Sequence, residues 1–292
     1  MKAKGLFELF HSDLRPDLEH ALAANMNEIE EIRLRVGQAV SVIEKGKGKS
    51  LCTSLVKPSH LDYLLERGTS ASVHTFANQI RKGYLFTEAG YRIGICGSIY
   101  GDGSIPDGIR DLTSASIRIP HAISGCADKI YPELTNPCFE STLILSPPGF
   151  GKTTLLRELI RKLSNCGKRV SVADERGEIA AIAGRRALFD LGSNTDVMTG
   201  GEKHTSAVML LRAMNPQVLA FDEITDEADL KAILQIAGCG VALLATVHAA
   251  DRNEMRSRAL YREVLSAGIF KKAVWIRIQN HERIYTVEDM LC

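Results

Sequence analysis

Residues 141–158 read STLILSPPGFGKTTLLRE, and no other stretch restricts so sharply what this chain can fold into. Thr142–Leu145 is a short apolar run of the kind that forms a buried strand. Pro147, Pro148, Gly149, Phe150 and Gly151 break it. After Lys152, Thr153 and Thr154, the residues Leu155, Leu156, Leu159, Ile160 and Leu163 recur with helical spacing. A strand, a glycine loop and a helix opening on Gly-Lys-Thr make a phosphate-binding loop. Its glycines let backbone N–H groups turn inward, and the helix N-terminus adds unpaired donors and positive potential. Pro148, Gly149, Phe150, Gly151, Lys152, Thr153 and Thr154 are thus the expected nucleotide contacts, ATP the expected ligand. Lys152 would reach the β- and γ-phosphates, and the Thr153 hydroxyl would ligate Mg²⁺. Ser146 stands where the usual pattern begins with glycine, which is tolerable if its backbone angles are ordinary.

Length and charge narrow the class. The 292 residues suffice for two domains, and the net charge of +1 is shared evenly. Residues 1–135 hold sixteen basic and sixteen acidic side chains, without the basic bias of a nucleic-acid binder. No run approaches the length of a membrane-spanning helix, and the N-terminus has no secretory apolar core. The seven cysteines form no close pair, which argues against a disulfide framework or zinc site; most are expected to be small buried hydrophobes in a reducing cytoplasm.

Ahead of the loop, residues 1–136 read as an α+β domain. Helices are expected over Pro16–Asn25, Pro58–Arg67 and Val73–Lys82. Glu30–Val36 alternates Ile32, Leu34 and Val36 inward against Arg33 and Arg35, and Ala39–Ile43 is its partner strand. Gly46–Ser50 imitates a second phosphate loop but has Ile43 at the first position and no helix after it, so it reads as a solvated hairpin turn. Tyr84–Phe86, Tyr91–Ile99 and Ser114–Ile119 are further strands, the first two around a turn at Glu88-Ala89-Gly90. Tyr131–Pro137 reads as a linker.

Residues 137–292 alternate strand and helix. Arg169–Ala173, Gln217–Phe221 and Val241–Thr246 are nearly unbroken apolar strands, as in a parallel sheet covered on both faces. Helices are expected over Glu202–Met214 and Asp226–Ala237, and a hairpin joins Ala273–Ile278 to Ile284–Val287. Ligands in such sheets bind at the carboxyl ends of strands. Asp222 and Glu223 end one strand: Asp222 would hold the Mg²⁺ hydration shell and Glu223 would orient or deprotonate the attacking water. Glu175, ending a neighbouring strand, is a rival base, and the residues do not choose between the two. Thr246 and His248 end another strand, where they could sense the γ-phosphate. Arg157 and Arg212 lie on helical faces, and Arg157 reads as a solvated charge there.

Beyond single motifs, the order of segments resembles the stage III sporulation protein AA family of spore-forming bacteria, relatives of the type II and type IV secretion ATPases. EIRLRVGQAV at 31–40, YLFTEAGYRIGICG at 84–97, SASIRIP at 114–120, the phosphate loop, ADERGEIA at 173–180, TDVMTGGEK at 195–203, LLRAMNPQVLAFDEI at 210–224 and LLATVHAAD at 243–251 follow in the family's order. The departures are Ser146 and the run Gly201–Ser206. The resemblance implies a RecA-like P-loop NTPase core behind a small N-terminal α+β domain. It implies a hexameric ATPase ring, peripheral at the inner, cytoplasmic face of a membrane. Its partners would be integral membrane proteins of a sporulation channel or secretion complex, with no nucleic acid. It also implies arginines of the N-terminal domain that face a neighbour's nucleotide; Arg92 and Arg118 occupy the matching segments. Two other readings stand beside this one: a nucleotide-gated scaffold that scarcely turns over, and a DNA-handling RecA-type motor.

Overall fold

A computed structural model of the chain describes residues 5–22, 26–44, 46–71, 76–87, 89–101, 106–119, 121, 123–183, 185–280 and 282–290. The chain divides into two compact units, Met1–Ala122 with Ala181–Leu188, and Ile123–Ala180 with Phe189–Cys292.

In the first unit, helix α1 (Arg15–Leu22) precedes strands β1 (Ile29–Arg35), β2 (Ala39–Glu44) and β3 (Lys47–Leu55). Helices α2 (Pro58–Gly68) and α3 (Ala77–Arg81) follow, then β4 (Tyr84–Phe86), β5 (Arg92–Tyr100) and β6 (Gly108–Arg118). The sheet is antiparallel throughout, in the order β3-β2-β1-β6-β5-β4. Alternation in β1 buries Ile32 and Leu34 while Arg33 and Arg35 stay half-exposed, as period two requires. These residues join Val40, Val42, Ile93, Ile95 and Ile117 in one core with Leu18 and Leu22 of α1 and Leu61 and Leu64 of α2. Burying each such leucine contributes about 2 kcal/mol.

Several local expectations change here. Val36 is not inward but 37% exposed: β1 ends at Arg35, and Val36 lies past the strand, bridging Val56 and donating its N–H to the Thr113 carbonyl before the turn at Gly37. The Gly46–Ser50 segment turns at Gly46, whose φ is +75°, but Lys47–Ser50 already belongs to β3, pairing with Ser41–Glu44. The sixth strand begins at Gly108, earlier than its alternating core suggested. Residues 23–25, 73–75 and Glu88, parts of two expected helices and a turn, lie outside the described residues.

The second unit begins with a short helix, α4 (Tyr131–Thr135), where a linker was expected; Leu134 is buried in it. The boundary expected after residue 136 therefore falls inside this unit. Then come β7 (Thr142–Ser146), α5 (Lys152–Asn165) and β8 (Val170–Asp174). A small hairpin, β9 (Ile182–Ala183) with β10 (Arg186–Ala187), belongs to the first unit. The chain continues through β11 (Thr195–Thr199), α6 (Lys203–Met214), β12 (Val218–Glu223), α7 (Glu227–Ala237), β13 (Ala242–His248), α8 (Arg252–Ser257), α9 (Ala259–Ser266), β14 (Lys272–Gln279) and β15 (Glu282–Asp289). Sequence patterns had not separated β11, α8 or α9.

The sheet order is β11-β8-β12-β13-β7-β14-β15, parallel except for the final antiparallel strand. β7 and β8 are buried along their whole length. The decisive feature is that β13 lies between the loop strand β7 and the acidic strand β12. Its register sets His248 opposite Ser146 on one side and Thr246 opposite Glu223 on the other. The cysteines differ from expectation: Cys96, Cys138, Cys166 and Cys239 are exposed and Cys126 is half-buried, all as free thiols. Among the described residues no helix is long and apolar enough to cross a membrane.

Candidate functional site

Ser146 belongs to β7, is 1% exposed, and turns its hydroxyl onto the Pro147 carbonyl at 2.9 Å. A residue in strand conformation needs no glycine, which explains why this departure is accommodated. Gly149 and Gly151 are different: their φ values are +79° and +98°, the left-handed region where a side chain is strained. Gly151 caps α5, so the first N–H groups of the helix open toward the loop.

Lys152 opens that helix yet is only 7% exposed, not solvent-facing. Its ammonium donates to the carbonyls of Ser146 (3.0 Å) and Pro147 (3.3 Å) and lies 2.6 Å from His248 Nδ1. His248 Nε2 in turn lies 2.8 Å from Glu223 Oε2. One neutral tautomer satisfies both contacts, with Nδ1 accepting from Lys152 and Nε2–H donating to Glu223. Lys152, His248 and Glu223 thus form a continuous polar chain across β7, β13 and β12. Thr246 is fully buried on β13, and its hydroxyl has no hydrogen-bond partner among the described residues.

The electrostatics are unbalanced in a way that suits a metal–phosphate ligand. Burial pushes the Lys152 ammonium down to about 8, against the pull of Glu223 and Asp222. Burial, reinforced by the charges of Glu178, Asp174 and Glu223, pushes Asp222 up to about 7. Asp174, at the end of β8 and 1% exposed, is also raised by burial, although it accepts from the N–H groups of Ile179 and Ala180. A group of carboxylates short of positive charge, beside a desolvated ammonium and a helix N-terminus, fits Mg²⁺ and phosphates respectively. Asp222 and Thr153 would hold the cation; the loop N–H groups and Lys152 would hold the phosphates. Glu175 lies half-buried just past β8, whereas Glu178 is the acid whose charge bears on Asp222 and Asp174.

Three groups in this site escaped the sequence reading. Arg157 is not a solvated charge but 9% exposed. It donates to the carbonyls of Ile179 and Glu178, both at 2.9 Å, and stacks 3.5 Å from the Phe189 ring centroid. Burial pushes it down to about 10, opposed by Asp174 and Asp222, so it remains a cation at neutral pH. Arg212 is exposed. Lys203, at the start of α6, pairs with Asp229 below Glu223 at 2.8 Å. Arg283 of β15 donates to the Phe150 carbonyl at 2.9 Å, and a Cβ at Gly151 would meet its Nε at 3.0 Å. Only Lys203 had a sequence signal, lying in the Gly201–Ser206 run that departs from the family pattern.

Arg92 and Arg118 lie in the other unit. They face each other across the β5–β6 pair. The Arg92 guanidinium is 5.0 Å from the Tyr84 ring centroid, and Arg118 sits opposite Glu31 of β1.

Parallel strands in this order, with the glycine loop at the end of β7, define a RecA-like P-loop NTPase fold of the secretion-ATPase kind. Solved structures that share it include the ATPase DotB of Yersinia pseudotuberculosis, at 15% identity and a TM-score of 0.64, over 97% of this chain and 80% of that one. The pilus retraction motor PilT with bound ADP is similar at 18% identity and a TM-score of 0.62, over 92% and 81%. Within that class the assignment is narrower: the family model for sporulation stage III, protein AA, matches residues 1–288, and this chain belongs to that family. Stage III sporulation protein AA of Bacillus subtilis (strain 168) is 32% identical over 238 residues, 79% of this chain and 76% of its own.

Proposed function

We propose that this protein is an ATP-hydrolysing ring motor that works peripherally at the inner face of a membrane, acting on integral membrane proteins of a channel or secretion complex during sporulation. The fold of the secretion ATPases and the sporulation family support a related ATPase-like role. The observation that carries hydrolysis is the polar chain from Lys152 through His248 to Glu223. It joins the group that would hold the phosphates to the group that would activate water. Lys152 is held in reserve by carbonyls and one imidazole, weak partners for an ammonium, and a phosphate would outcompete them. Its departure frees His248 Nδ1, and His248 then answers to the phosphate on one side and to Glu223 on the other. Glu223 takes the proton of the attacking water as general base. Mg²⁺, when bound, neutralises charge on the phosphoryl group being transferred. Arg92 and Arg118 would add the remaining positive charge from a neighbouring subunit, making the homo-oligomeric ring a condition of turnover.

The test is MgATP turnover as a function of protein concentration, beside the mass of the assembly with a non-hydrolysable analogue. Activity per subunit should rise as rings form. Lys152→Ala should abolish turnover with the far-UV circular dichroism unchanged. Wild-type-like turnover in that variant would overturn the assignment; analogue binding without any turnover in the wild type would favour a nucleotide-gated scaffold.

A further inference from the structure

Glu223 is the last residue of β12 and sits just past an irregularity in its ladder. The pairing with β13 is regular from Val218 to Ala220, shifts, and resumes at Glu223 opposite Thr246, where the Ile224 N–H donates to the Thr246 carbonyl at 2.9 Å. A group that also grips the backbone beyond the irregularity would add to what the ladder fixes there.

Lys203 does so. Its ammonium donates to the Glu223 carbonyl and to Thr225 Oγ1 at 3.1 Å, and it pairs with Asp229 Oδ2 at 2.8 Å. Both charged side chains are nearly sealed from water, Lys203 at 7% and Asp229 at 4% exposure. Asp229 is itself tied to the same segment, accepting from the N–H of Thr225 at 2.9 Å and from its hydroxyl at 3.1 Å. Asp226 caps α7 by accepting from the Asp229 N–H at 2.9 Å, which anchors the acid from below.

The cluster is not explained by the stability of α6. A cation in the first turn of a helix opposes the helix dipole. A buried ion pair is weak evidence for stability, since desolvation offsets most of its attraction. What the pair achieves is geometric: the ammonium donates twice to the segment that carries Glu223 and is held there by Asp229 of α7. We infer that Lys203, braced by Asp229, is a positioning residue that fixes Glu223 against His248. This rests on the reading of Glu223 given above.

Two charge-neutral pairs separate positioning from packing. Lys203→Met with Asp229→Leu removes the donor without stranding a buried charge. Lys203→Gln with Asp229→Asn also removes both charges but keeps an N–H donor for the Glu223 carbonyl. The His248 ring resonances, assigned with His248→Gln, report the contact with Glu223 without any need for turnover. In the Met/Leu protein they should move and kcat should fall about a hundredfold, as expected of a catalytic group displaced by about an ångström. Affinity for a non-hydrolysable ATP analogue should hold within about threefold, so that the loss is in kcat and not in binding. The Gln/Asn protein should keep the wild-type His248 resonances and recover much of the turnover. Unmoved His248 resonances in the Met/Leu protein, or equal kcat in the two double variants, would overturn the inference. A wild type with no turnover would instead count against Glu223 as base, and the His248 resonances would still decide the role of Lys203.

Discussion

The two units bury different things. In the first, the buried polar side chains among the described residues are His60, Thr69 and Thr87, none of them a lysine, arginine or carboxylate. In the second they include Lys152, Arg157, Glu158, Asp174, Lys203 and Asp229. Both units have ample apolar cores, so the contrast is not about stability. Buried charge is costly unless paired, and a sheet whose strand ends gather so much of it is shaped by something other than folding. Across one antiparallel sheet, by contrast, alternation sends polar groups to solvent, and the described charges of unit one, Arg92 and Arg118 among them, are half-buried or exposed. The buried charge, and with it the proposed chemistry, lies in the second unit; in the proposed ring the first unit would contribute through charges it presents outward.

The strongest way to break that contrast is through the outward charges. Arg92→Ala and Arg118→Ala should each lower MgATP turnover about a thousandfold if either completes a neighbour's site, with little change in thermal midpoint. Mixing either variant with Lys152→Ala should restore some activity, because mixed rings contain sites with one intact half from each chain. Concentration-independent turnover and no rescue would make both arginines surface charges.

Within the second unit, Glu223→Gln should lower kcat about a hundredfold or more while analogue binding persists, since the amide still accepts from His248 but is no base. Glu175→Gln should be close to wild type. The reverse result in steady-state kinetics would move the base to the end of β8.

A smaller effect tests whether the buried charge also supports the local backbone. Arg157→Met strands the Ile179 and Glu178 carbonyls and removes a cation near Asp174, and should cost about 3 kcal/mol in urea unfolding. A loss below about 0.5 kcal/mol, the range of ordinary surface changes, would mean the pocket relaxes around it.

The mildest prediction concerns the first unit. His60 Nδ1 accepts from the Lys57 N–H at 3.1 Å, closing the N-terminus of α2. Burial holds His60 below its ordinary 6.5, with Asp13 opposing and His11 and Lys57 adding to the depression. The unfolded chain then binds the proton more readily, so this contribution is complete above 6.5 and is lost as pH falls below it. Losing the cap costs about 1 kcal/mol. The thermal midpoint should fall between about pH 7.5 and about pH 5.5 in the wild type, and less so in His60→Gln.

By itself the sequence determined what depends on neighbours along the chain. Gly149, Gly151 and Lys152 between an apolar run and a helical pattern can do little but form the phosphate loop. Unbroken apolar runs ending in Asp222-Glu223 and in Thr246 and His248 are strands of a covered parallel sheet with polar ends. Tertiary structure decided which of those ends meet. No periodicity encodes that β13 lies between β7 and β12, because strand order is set by packing between distant segments, and that order is what joins Lys152 to Glu223 through His248. The same reason hid Arg157. On a surface helix its position would be solvated, but α5 brings the guanidinium to the carbonyls of Ile179 and Glu178 and to the Phe189 ring. Lys203 and Asp229 are 26 positions apart in the numbering of the chain, with strand β12 between them, and only the turn beyond Glu223 brings their charges within 2.8 Å.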